Sequence, residues 1–495
     1  MMKRFLIFAG LAVVLFFAYL FFNAVMLTPQ PQTPLSPIPM KGFHEEEAIQ
    51  RFSRALQFPT ISYEPPGHMD STVFAQFVAF LQTHYPTVFS KLPWQAINQY
   101  SLLIEWPGRA PQLPPVVLMA HYDVVPVDSA SLQKWTFDPF SGQVTADYIL
   151  GRGALDDKVN VIAILEAVEF LLEHKFQPQR TIYIAFGHDE EIGGKYGARV
   201  MAGILKKRHT NFYLVLDEGG AVVQGVIPNI KPAMALIGIA EKGYVTLSLR
   251  TQAVGGHSSM PPPHTAIGQL AAGITRLENH PFPARITPPV KGFLEAAAPY
   301  MPFSAKLFIA NLSVLSPLLK RALLKSPTTA AMLRTTTAVT LIRGGVKDNV
   351  LPTGAQAQVN FRILPGETSE SVLAYVRQVV ADTGIHVEKA PGETIEPSGV
   401  SSTDTPAFQQ LQQIIRSIYP HAIPAPYLVM GATDSRYYAD ASDRVYRFSP
   451  IFMEKSDLKR YHGIDERVQK SSFVKAIQFY YQLLRSVKSD TEEAP

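Results

Sequence analysis

Residues 181–191 read TIYIAFGHDEE, an apolar, β-branched and aromatic run that ends in a histidine and three acids. Three further runs have the same character: residues 115–123 (PVVLMAHYD), 148–158 (YILGRGALDDK) and 212–220 (FYLVLDEGG). Amphipathic helical patterns alternate with these runs, which predicts an α/β fold with a mostly parallel sheet. Ligands of open α/β sheets bind at the carboxyl ends of the strands, and the polar clusters of this chain recur at those ends.

The pattern changes near Glu241, where an alternating strand begins a β-α-β-β-α order. The predicted elements of this part are strand 245–251, helix 265–278, strands 335–342 and 355–363, and helix 370–380. This order predicts a small α+β lid domain, residues 241–395, inserted into a larger catalytic domain of residues 42–240 and 396–495.

Composition excludes several classes of protein. The 495 residues include 45 Lys+Arg and 41 Asp+Glu, and the net charge of +4 is too small and too dispersed for a nucleic-acid binder. Charged residues make up 17% and apolar residues 47%, which fits a globular protein rather than a disordered one. Because the chain has no Cys, disulfides, thiolate metal sites and a cysteine nucleophile are excluded, and any metal must bind to His and carboxylates.

The N-terminus predicts a single membrane span. Residues 5–27 are almost entirely apolar and as a helix would extend over about 34 Å, enough to cross a bilayer. Lys3 and Arg4 precede them, so residues 1–4 should be cytoplasmic and the catalytic body periplasmic or extracellular. A cleaved signal peptide is the alternative, but its apolar region is usually only about 7–15 residues long. The Pro-rich residues 28–41 predict an extended linker that holds the body away from the lipid bilayer.

Each candidate site residue is a weak signal when taken alone. His121 and Asp123 lie two apart at a strand end, where a surface histidine in a capped loop is the ordinary explanation. Asp156 and Asp157 precede a helix and either could cap it; we prefer capping for Asp157, whereas one carboxylate in this loop could bridge two metal ions.

Three adjacent acids, 189–191, could be a solvated loop, although one Glu could bind metal while its neighbour acts as an acid or base. Asp217 follows the next strand, and the distant His462 is a second candidate imidazole. Jointly, this ordered series of nitrogen and oxygen donors predicts a metal centre. Zinc suits the donors, with cobalt or manganese as substitutes, and five ligands suit two metals that share a carboxylate.

At this point the chain resembles the co-catalytic zinc metallopeptidases, a family that includes carboxypeptidase S, glutamate carboxypeptidase, aminoacylase and N-fatty-acyl amino acid synthase/hydrolase. The resemblance extends over residues 43–485. The motifs that carry it are AHYDVVP (120–126), GRGALDDK (151–158), HDEEIGG (188–194), LDEGG (216–220), GGHSSMPP (255–262), NVLP (349–352), FRILPG (361–366), GATDSR (431–436) and YHGIDER (461–467).

The resemblance implies a role for each matched residue. Two zinc ions per chain would be held by His121, Asp156, Glu191, Asp217 and His462, with Asp156 as the bridging ligand. Asp123 would orient His121, and Glu190 would be the general base. His257 would help to stabilise the oxyanion, in some relatives across a dimer interface, so a homodimer is expected as an option. Substrate would be held by Asn349, Arg362 and the loop from Gly431 to Arg436.

These roles predict hydrolysis of an amide bond whose substrate has a free α-carboxylate. Glu190 would take a proton from the attacking water and pass it to the leaving nitrogen, and Arg362 would pair with the carboxylate. Two alternatives stay open: a zinc carboxypeptidase or dipeptidase that acts on short peptides, and a non-catalytic, membrane-tethered metal-binding protein. The second would be expected to lack a ligand or the base.

Residues 292–333 are an unusually apolar segment within the predicted lid. Apolar residues recur there at near-helical spacing, which is typical of a helical hairpin packed on the lid. The segment could also receive an acyl chain or touch the bilayer. It resembles the carboxypeptidase S and fatty-acyl amino acid hydrolase branch more than the shorter lids of other relatives, so we expect N-acyl amino acids as substrates, in a reaction that could be reversible.

Overall fold

The structure is a computed structural model that describes residues 2–29, 35–63, 69–227 and 230–487. Met1, residues 30–34 of the predicted linker and residues 488–495 of the predicted catalytic domain lie outside the described residues.

The helices and strands follow the predicted α/β alternation. The helices are α1 Met2–Met26, α2 Glu45–Ala55, α3 Ser71–His84, α4 Pro86–Lys91, α5 Lys158–Glu173, α6 Ala198–Arg208, α7 Ala266–Asn279, α8 Pro288–Ala297, α9 Phe303–Ala310, α10 Leu312–Leu323, α11 Pro327–Leu333, α12 Ser369–Val380, α13 Pro406–Ile418 and α14 Lys470–Ser486. The strands are β1 Trp94–Ile97, β2 Ser101–Trp106, β3 Val116–His121, β4 Gln143–Val144, β5 Tyr148–Leu150, β6 Ile182–Gly187, β7 Leu214–Asp217, β8 Val222–Gln224, β9 Met234–Glu241, β10 Gly243–Gln252, β11 Gly256–His257, β12 Thr336–Gly344, β13 Val350–Leu351, β14 Gly354–Ile363, β15 Ile385–Lys389, β16 Ile423–Val429, β17 Val445–Arg447, β18 Phe452–Glu454 and β19 Arg467–Gln469.

The larger domain is built on a mixed sheet with the order β1-β2-β6-β3-β7-β17-β9-β8-β18, to which β16 is added beside β9. Its centre is parallel: β3 pairs in parallel with β6 and β7, and β7 with β17. Strands β3 and β6 are buried along their whole length, because α5 covers this part of the sheet and α6 packs beside β6. The α/β prediction is confirmed: β1–β2, β2–β6, β17–β9 and β8–β9 pair antiparallel, and the other pairs of this sheet are parallel.

The register of the parallel strands brings their ends together. His121 is opposite Gly187, so the acids that follow Gly187 begin where β3 ends. Leu118 is opposite Leu216, which brings the end of β7 to the same edge. Parallel strands all point the same way, and the polar residues that follow three of them therefore share one end of the sheet.

The strand at Tyr148–Leu150 is not part of this sheet. It forms a separate three-stranded sheet in the order β19-β5-β4, in which Leu150 is opposite Arg467. This pairing holds the loop that contains Asp156 beside the loop that contains His462, although more than 300 residues separate them in the chain.

The lid is a four-stranded antiparallel sheet in the order β12-β14-β10-β15, against which α7 and α12 pack. Val245, Leu247 and Leu249 of β10 alternate inward to form its core with residues of β14 and both helices. The core of the lid is separate from that of the large sheet. A two-stranded ribbon of β11 and β13 extends beyond the far end of β10.

Residues 288–333, which we call the insertion, form helices α8 to α11 as the sequence indicates, but they do not pack on the lid. Helix α8 lies against β16, where Gly292 faces the ring of Pro426, and Phe293, Ile309 and Leu333 belong to the core of the large sheet. The expected hairpin on the lid is therefore wrong: the chain leaves the lid after α7 and returns to it at β12.

Helix α1 is the one helix within the described residues that is long and apolar enough to cross a membrane. Nearly all of it is exposed, apart from Leu20 and Ala24 near its end. These two residues are buried where α1 meets α9, so the folded body contacts the end of α1 directly.

Candidate metal centre and active site

Two imidazoles lie on opposite sides of one carboxylate. His121 Nε2 is 2.9 Å from Asp156 Oδ1, and His462 Nε2 is 3.0 Å from Asp156 Oδ2. A further carboxylate completes each group: Glu218 Oε1 is 3.4 Å from His121 Nε2, and Glu191 Oε1 is 3.2 Å from His462 Nε2. Ligand atoms around a tetrahedral zinc lie about 3.3 Å apart, so each group could hold one ion, with Asp156 common to both.

The ligand expected at Asp217 lies elsewhere. Its carboxylate accepts hydrogen bonds from the backbone N–H groups of Ser435 (2.7 Å) and Glu218 (3.0 Å), and Asp217 belongs to neither group. Consecutive side chains point in different directions, and here it is Glu218 that points toward His121. The sequence motif LDEGG contains both acids, but strand periodicity alone does not decide between them.

Asp123 holds two parts of the site at once. Its Oδ1 is 3.3 Å from His121 Nδ1, on the ring nitrogen that faces away from Asp156. The same carboxylate accepts hydrogen bonds from the backbone N–H groups of Glu190 and Glu191, both at 3.1 Å, and from Ser62 Oγ at 2.7 Å. Asp123 therefore fixes the imidazole and the acidic loop relative to each other, an arrangement that orients metal ligands in many proteins.

Glu190 lies next to this cluster and lines the cleft beside it. Its Oε2 is 4.0 Å from His121 Nε2, and its backbone position is set by the bond to Asp123. The expected solvated loop is absent at this point, because Asp189 is buried and accepts hydrogen bonds from the backbone of Tyr196 and Gly197.

A buried ion pair that sequence reasoning missed supports the bridging carboxylate. Glu466 accepts hydrogen bonds from the backbone N–H groups of Leu155 (2.7 Å) and Asp156 (3.2 Å) and from Arg152 Nη1 (2.6 Å). Arg152 also donates to the carbonyl of His462 at 3.2 Å. The pair ties the two loops together. Arg152 lies in the motif GRGALDDK and Glu466 in YHGIDER, so these motifs could have indicated the pair.

Asp157 does not cap α5 through its side chain. It accepts a hydrogen bond from the side chain of Asn160 and lies near the backbone N–H of His121, so it steadies the end of β3 instead.

The cluster contains more carboxyl groups than imidazoles, so negative charge is in excess. Burial, together with the charge of Asp156, raises the pKa of Glu191 to about 7 and that of Glu218 to about 8. The nearby carboxylates of Asp156 and Glu191 raise the pKa of His462 to about 10. Burial also raises the pKa of Glu190 well above its usual range. Such shifts mark a place where additional positive charge is stabilising.

One further observation fits bound cations. Glu191 Oε1 is buried, and because its contact with His462 Nε2 at 3.2 Å does not meet hydrogen-bond geometry, it has no hydrogen-bond partner among the described residues. A buried carboxylate oxygen without a partner is costly, whereas coordination to a cation would satisfy it. Two imidazoles and three carboxylates without sulfur are donors that suit zinc and similar divalent ions.

The cluster lies at the bottom of a cleft of about 640 Å³ between the two domains. The lid side contributes Tyr244, Arg362 and Glu393, and the opposite side contributes Gly431 and Arg436. The Arg362 guanidinium lies over the Tyr244 ring, 4.8 Å from its centroid. Arg436 is held by the carbonyl oxygens of Thr433 (2.9 Å) and Gly193 (2.7 Å), so it shapes the wall of the cleft.

His257 and Asn349 do not reach this cleft. Both are exposed and lie on or beside the β11–β13 ribbon, where His257 Nδ1 is 2.8 Å from Ser259 Oγ. Tyr244, which lines the cleft, and Gln252, which precedes the ribbon, are eight residues apart on β10. At the usual rise of a strand, these eight steps amount to about 26 Å. Within one chain, the expected contacts of these two residues with substrate are therefore not formed.

Comparison with known proteins agrees with this geometry. Residues 117–486 match peptidase family M20/M25/M40. A probable carboxypeptidase S-like 2 of Dictyostelium discoideum is 39% identical over 482 residues, which cover 94% of this chain and 91% of that protein. The N-fatty-acyl-amino acid synthase/hydrolase PM20D1 of Homo sapiens is 38% identical over 467 residues, which cover 92% of this chain and 91% of that protein.

Solved structures show the same fold at low sequence identity. An M20 family metallo-carboxypeptidase from Sulfolobus solfataricus superimposes with a TM-score of 0.65 at 19% identity and covers 89% of this chain and 98% of its own. A dinuclear metal-binding M20 peptidase from Bacillus subtilis has a TM-score of 0.55 at 13% identity and covers 89% and 97%. With the two-sided cluster on Asp156 and relatives above 30% identity along most of the chain, we conclude that this protein belongs to peptidase family M20/M25/M40 and is a hydrolase of the metallopeptidase type.

Proposed function

We propose that this protein is a membrane-anchored di-zinc hydrolase that cleaves the amide bond of N-acyl amino acids. The observation that carries the proposal is Asp156, whose two carboxylate oxygens each face a different imidazole. Asp156 lies at the bottom of a cleft that Arg362 also lines. That arrangement suits two cations beside a substrate with a negative end.

His121, Asp156 and Glu218 would hold one ion, and Asp156, Glu191 and His462 the other. Two such ions lower the pKa of a water molecule and polarise a carbonyl group. Zinc is our choice because the donors are nitrogen and oxygen, and cobalt or manganese could replace it.

Glu190 would act as the general base. It lies 4.0 Å from His121 at the edge of the cluster and faces the cleft, so it could take a proton from the attacking water. The same carboxyl group would then deliver that proton to the departing nitrogen. Asp123 would keep Glu190 in place through the backbone bond at 3.1 Å and hold His121 in orientation.

Arg362 would recognise the α-carboxylate of the substrate. It forms no ion pair among the described residues, and Tyr244 supports its guanidinium from one side, which leaves its donors available to the cleft. An arginine can bind a carboxylate through two parallel hydrogen bonds, which favours acyl or peptidyl amino acids over neutral amides.

Two findings favour an N-acyl amino acid. Relatives named N-fatty-acyl-amino acid synthase/hydrolase are 36–38% identical over most of the chain. Helix α1 would also keep the enzyme at a bilayer, where substrates with long acyl chains accumulate. Both synthesis and hydrolysis are consistent with one site, since the same groups serve each direction.

We further propose that α1 remains attached as a single span, with a cytoplasmic N-terminus and the catalytic body periplasmic or extracellular. Lys3 and Arg4 at the start of α1 favour this orientation. The contacts between α1 and α9 favour retention of the helix over its removal as a signal sequence.

A homodimer would explain the position of His257. Three exposed apolar residues lie beside the ribbon at the far end of the lid: Val254, Met260 and Ile342. Patches of this kind mark interfaces, and a second subunit seated there could present its His257 to the cleft of the first.

A second candidate is a carboxypeptidase or dipeptidase acting on short peptides. The carboxypeptidase S-like relative at 39% identity favours it, and Arg362 would recognise a peptide carboxylate equally well.

The test is turnover of the purified, zinc-loaded full chain on N-oleoyl-phenylalanine and on a dipeptide whose amino end is blocked. We expect a higher kcat/KM on the oleoyl compound. Faster cleavage of the dipeptide would favour the second candidate, and turnover of neither would contradict both.

A further inference from the structure

The end of α1 is bound to the insertion by specific contacts. The rings of Phe21 and Phe303 lie 5.0 Å apart. Asn23 Nδ2 donates to Asn311 Oδ1 at 2.9 Å, and Asn311 Nδ2 donates to the carbonyl of Leu20 at 3.0 Å. Lys306 Nζ donates to the carbonyl of Leu27 just after the helix ends, at 3.2 Å. The insertion therefore meets α1 over its last two turns.

The remainder of α1 fixes where a membrane surface would lie. Residues 2–19 are exposed and rise about 27 Å as a helix, close to the roughly 30 Å thickness of a hydrocarbon layer. The point where this apolar length ends is the point where α9 and the start of α10 begin their contact. A bilayer that contains α1 would thus have its surface at the insertion.

The exposed face of the insertion has the composition of an interfacial helix. Phe303, Val314 and Leu318 are 42%, 46% and 52% exposed, and Val314 and Leu318 are four residues apart on one side of α10. Arg321, three residues after Leu318, continues that side of α10, and Lys325 follows just after the helix ends; both are exposed. Neither forms an ion pair in the part of the chain that the structure describes. Apolar residues flanked by unpaired cations are typical of helices at the headgroup level.

We infer that the face formed by Phe303, Val314, Leu318, Arg321 and Lys325 is a second, non-spanning contact of this protein with the bilayer. The apolar residues reach the acyl boundary, and the two cations face acidic lipid headgroups. This inference rests on the proposed anchoring by α1 and is independent of the proposed hydrolysis. Because α8 packs on β16 of the large sheet, the contact sets the orientation of the whole catalytic body above the membrane.

The natural absence of Cys makes the test direct. The full chain carrying a single substitution, Val14→Cys, Val314→Cys, Leu318→Cys or Val346→Cys, is labelled with a polarity-sensitive fluorophore and reconstituted into vesicles. Val14 reports on the span itself, and Val346, 93% exposed at the far end of the lid, is the aqueous control. Quenching is measured with a nitroxide on the lipid acyl chain and with iodide in the water.

We expect lipid quenching at positions 14, 314 and 318, and iodide quenching at 346. If 314 and 318 respond like 346 while 14 responds to lipid, the second contact is refuted and the anchor stands. If position 14 also responds only to iodide, both the anchor and the contact are refuted. Hydrolysis by the same vesicles is measured separately, so a failure of catalysis is not confused with either result.

A charge reversal tests the lipid class. Arg321→Glu with Lys325→Glu should reduce lipid quenching at position 318 several-fold in vesicles that contain phosphatidylglycerol and much less in pure phosphatidylcholine. The matched control, Arg343→Glu with Lys347→Glu on the exposed far part of the lid, changes the same charge and should leave it unaltered. Equal loss in both lipids, or with both pairs, would contradict the role of acidic headgroups.

Discussion

The metal cluster and the far end of the lid differ in how much of a working site one chain contains. At the cluster, His121 and His462 each lie within 3.0 Å of Asp156 although the three residues come from distant parts of the sequence. At the lid ribbon, His257 is exposed and lies beyond Gln252, which about 26 Å of strand separates from Tyr244 in the cleft. The first region is assembled within a single chain, whereas the second could take the catalytic role that we propose for it only through another subunit.

The largest effect on turnover is expected at the metal cluster. Glu190→Gln removes the proposed base but keeps the shape of the side chain, so kcat should fall by about 10³ or more, while two metal equivalents remain by elemental analysis. Glu393→Gln, in the same cleft wall and paired with Lys195, should change kcat only a few-fold. Activity close to that of the unmodified protein in Glu190→Gln would remove the base assignment.

Metal binding by variants distinguishes which of two neighbouring acids, Asp217 or Glu218, is a ligand. Glu218→Ala should weaken binding of one metal by about 100-fold or more, with a matching loss of turnover. Asp217→Asn keeps an oxygen that can accept the Ser435 N–H and should retain both metals. Metal content after dialysis distinguishes them, and the opposite pattern would restore Asp217 as the ligand.

His257→Ala should lower kcat by about 10² if it meets the oxyanion. Complementation then decides which subunit it serves. Mixing His257→Ala with Glu190→Gln should restore about a quarter of the normal turnover, because half of randomly paired dimers are mixed and each has one intact site. Mixing without recovery, in dimers shown to exchange, would mean that His257 acts within its own chain or not at all.

The near end of the lid should govern affinity rather than rate. Arg362→Ala removes charge-assisted hydrogen bonds worth about 2 kcal/mol, so KM for an N-acyl amino acid should rise about 30-fold. The same variant should leave KM for the corresponding amide, which lacks the carboxylate, unchanged. Arg250→Ala, on the same sheet but toward its far end, is the matched control. An equal rise for acid and amide would point to a structural defect.

The smallest effect concerns a supporting residue. Ser62 Oγ donates to Asp123 at 2.7 Å, and loss of one such hydrogen bond costs about 1 kcal/mol. Ser62→Ala should therefore lower kcat about five-fold without loss of metal, and Ser62→Thr should recover part of it. A loss of metal in Ser62→Ala would show that Asp123 depends on this bond more than expected.

The cluster was predictable because parallel strands end at a common edge. That rule brought His121 and the 189–191 acids together correctly, and the motifs indicated Asp156 and His462. It could not choose between Asp217 and Glu218, since the direction of a side chain beyond a strand end depends on local contacts such as the Ser435 N–H. Ser62 and the Arg152–Glu466 pair were missed because their partners are distant in sequence.

The lid was less predictable at its extremities. The order of strands and helices indicated its α+β character, and the elements lie within a residue or two of the expected positions. Apolar periodicity indicated helices in the insertion but not which surface they cover, because a stripe of leucines fits any apolar neighbour. The expected contacts of His257 and Asn349 came from resemblance alone, and one chain does not supply them.

Because the insertion leaves the lid and returns to it, four stretches of backbone connect the two domains where a simple inserted domain would have two. They lie near residue 242, between α7 and α8, between α11 and β12, and near residue 395. Lys242 further bonds to the carbonyl oxygens of Ala331 and Arg334, which ties the first connection to the third. A body joined by so many links cannot swing freely, so substrate should enter a nearly preformed cavity by small adjustments of its rim rather than by a wide rotation of one half against the other.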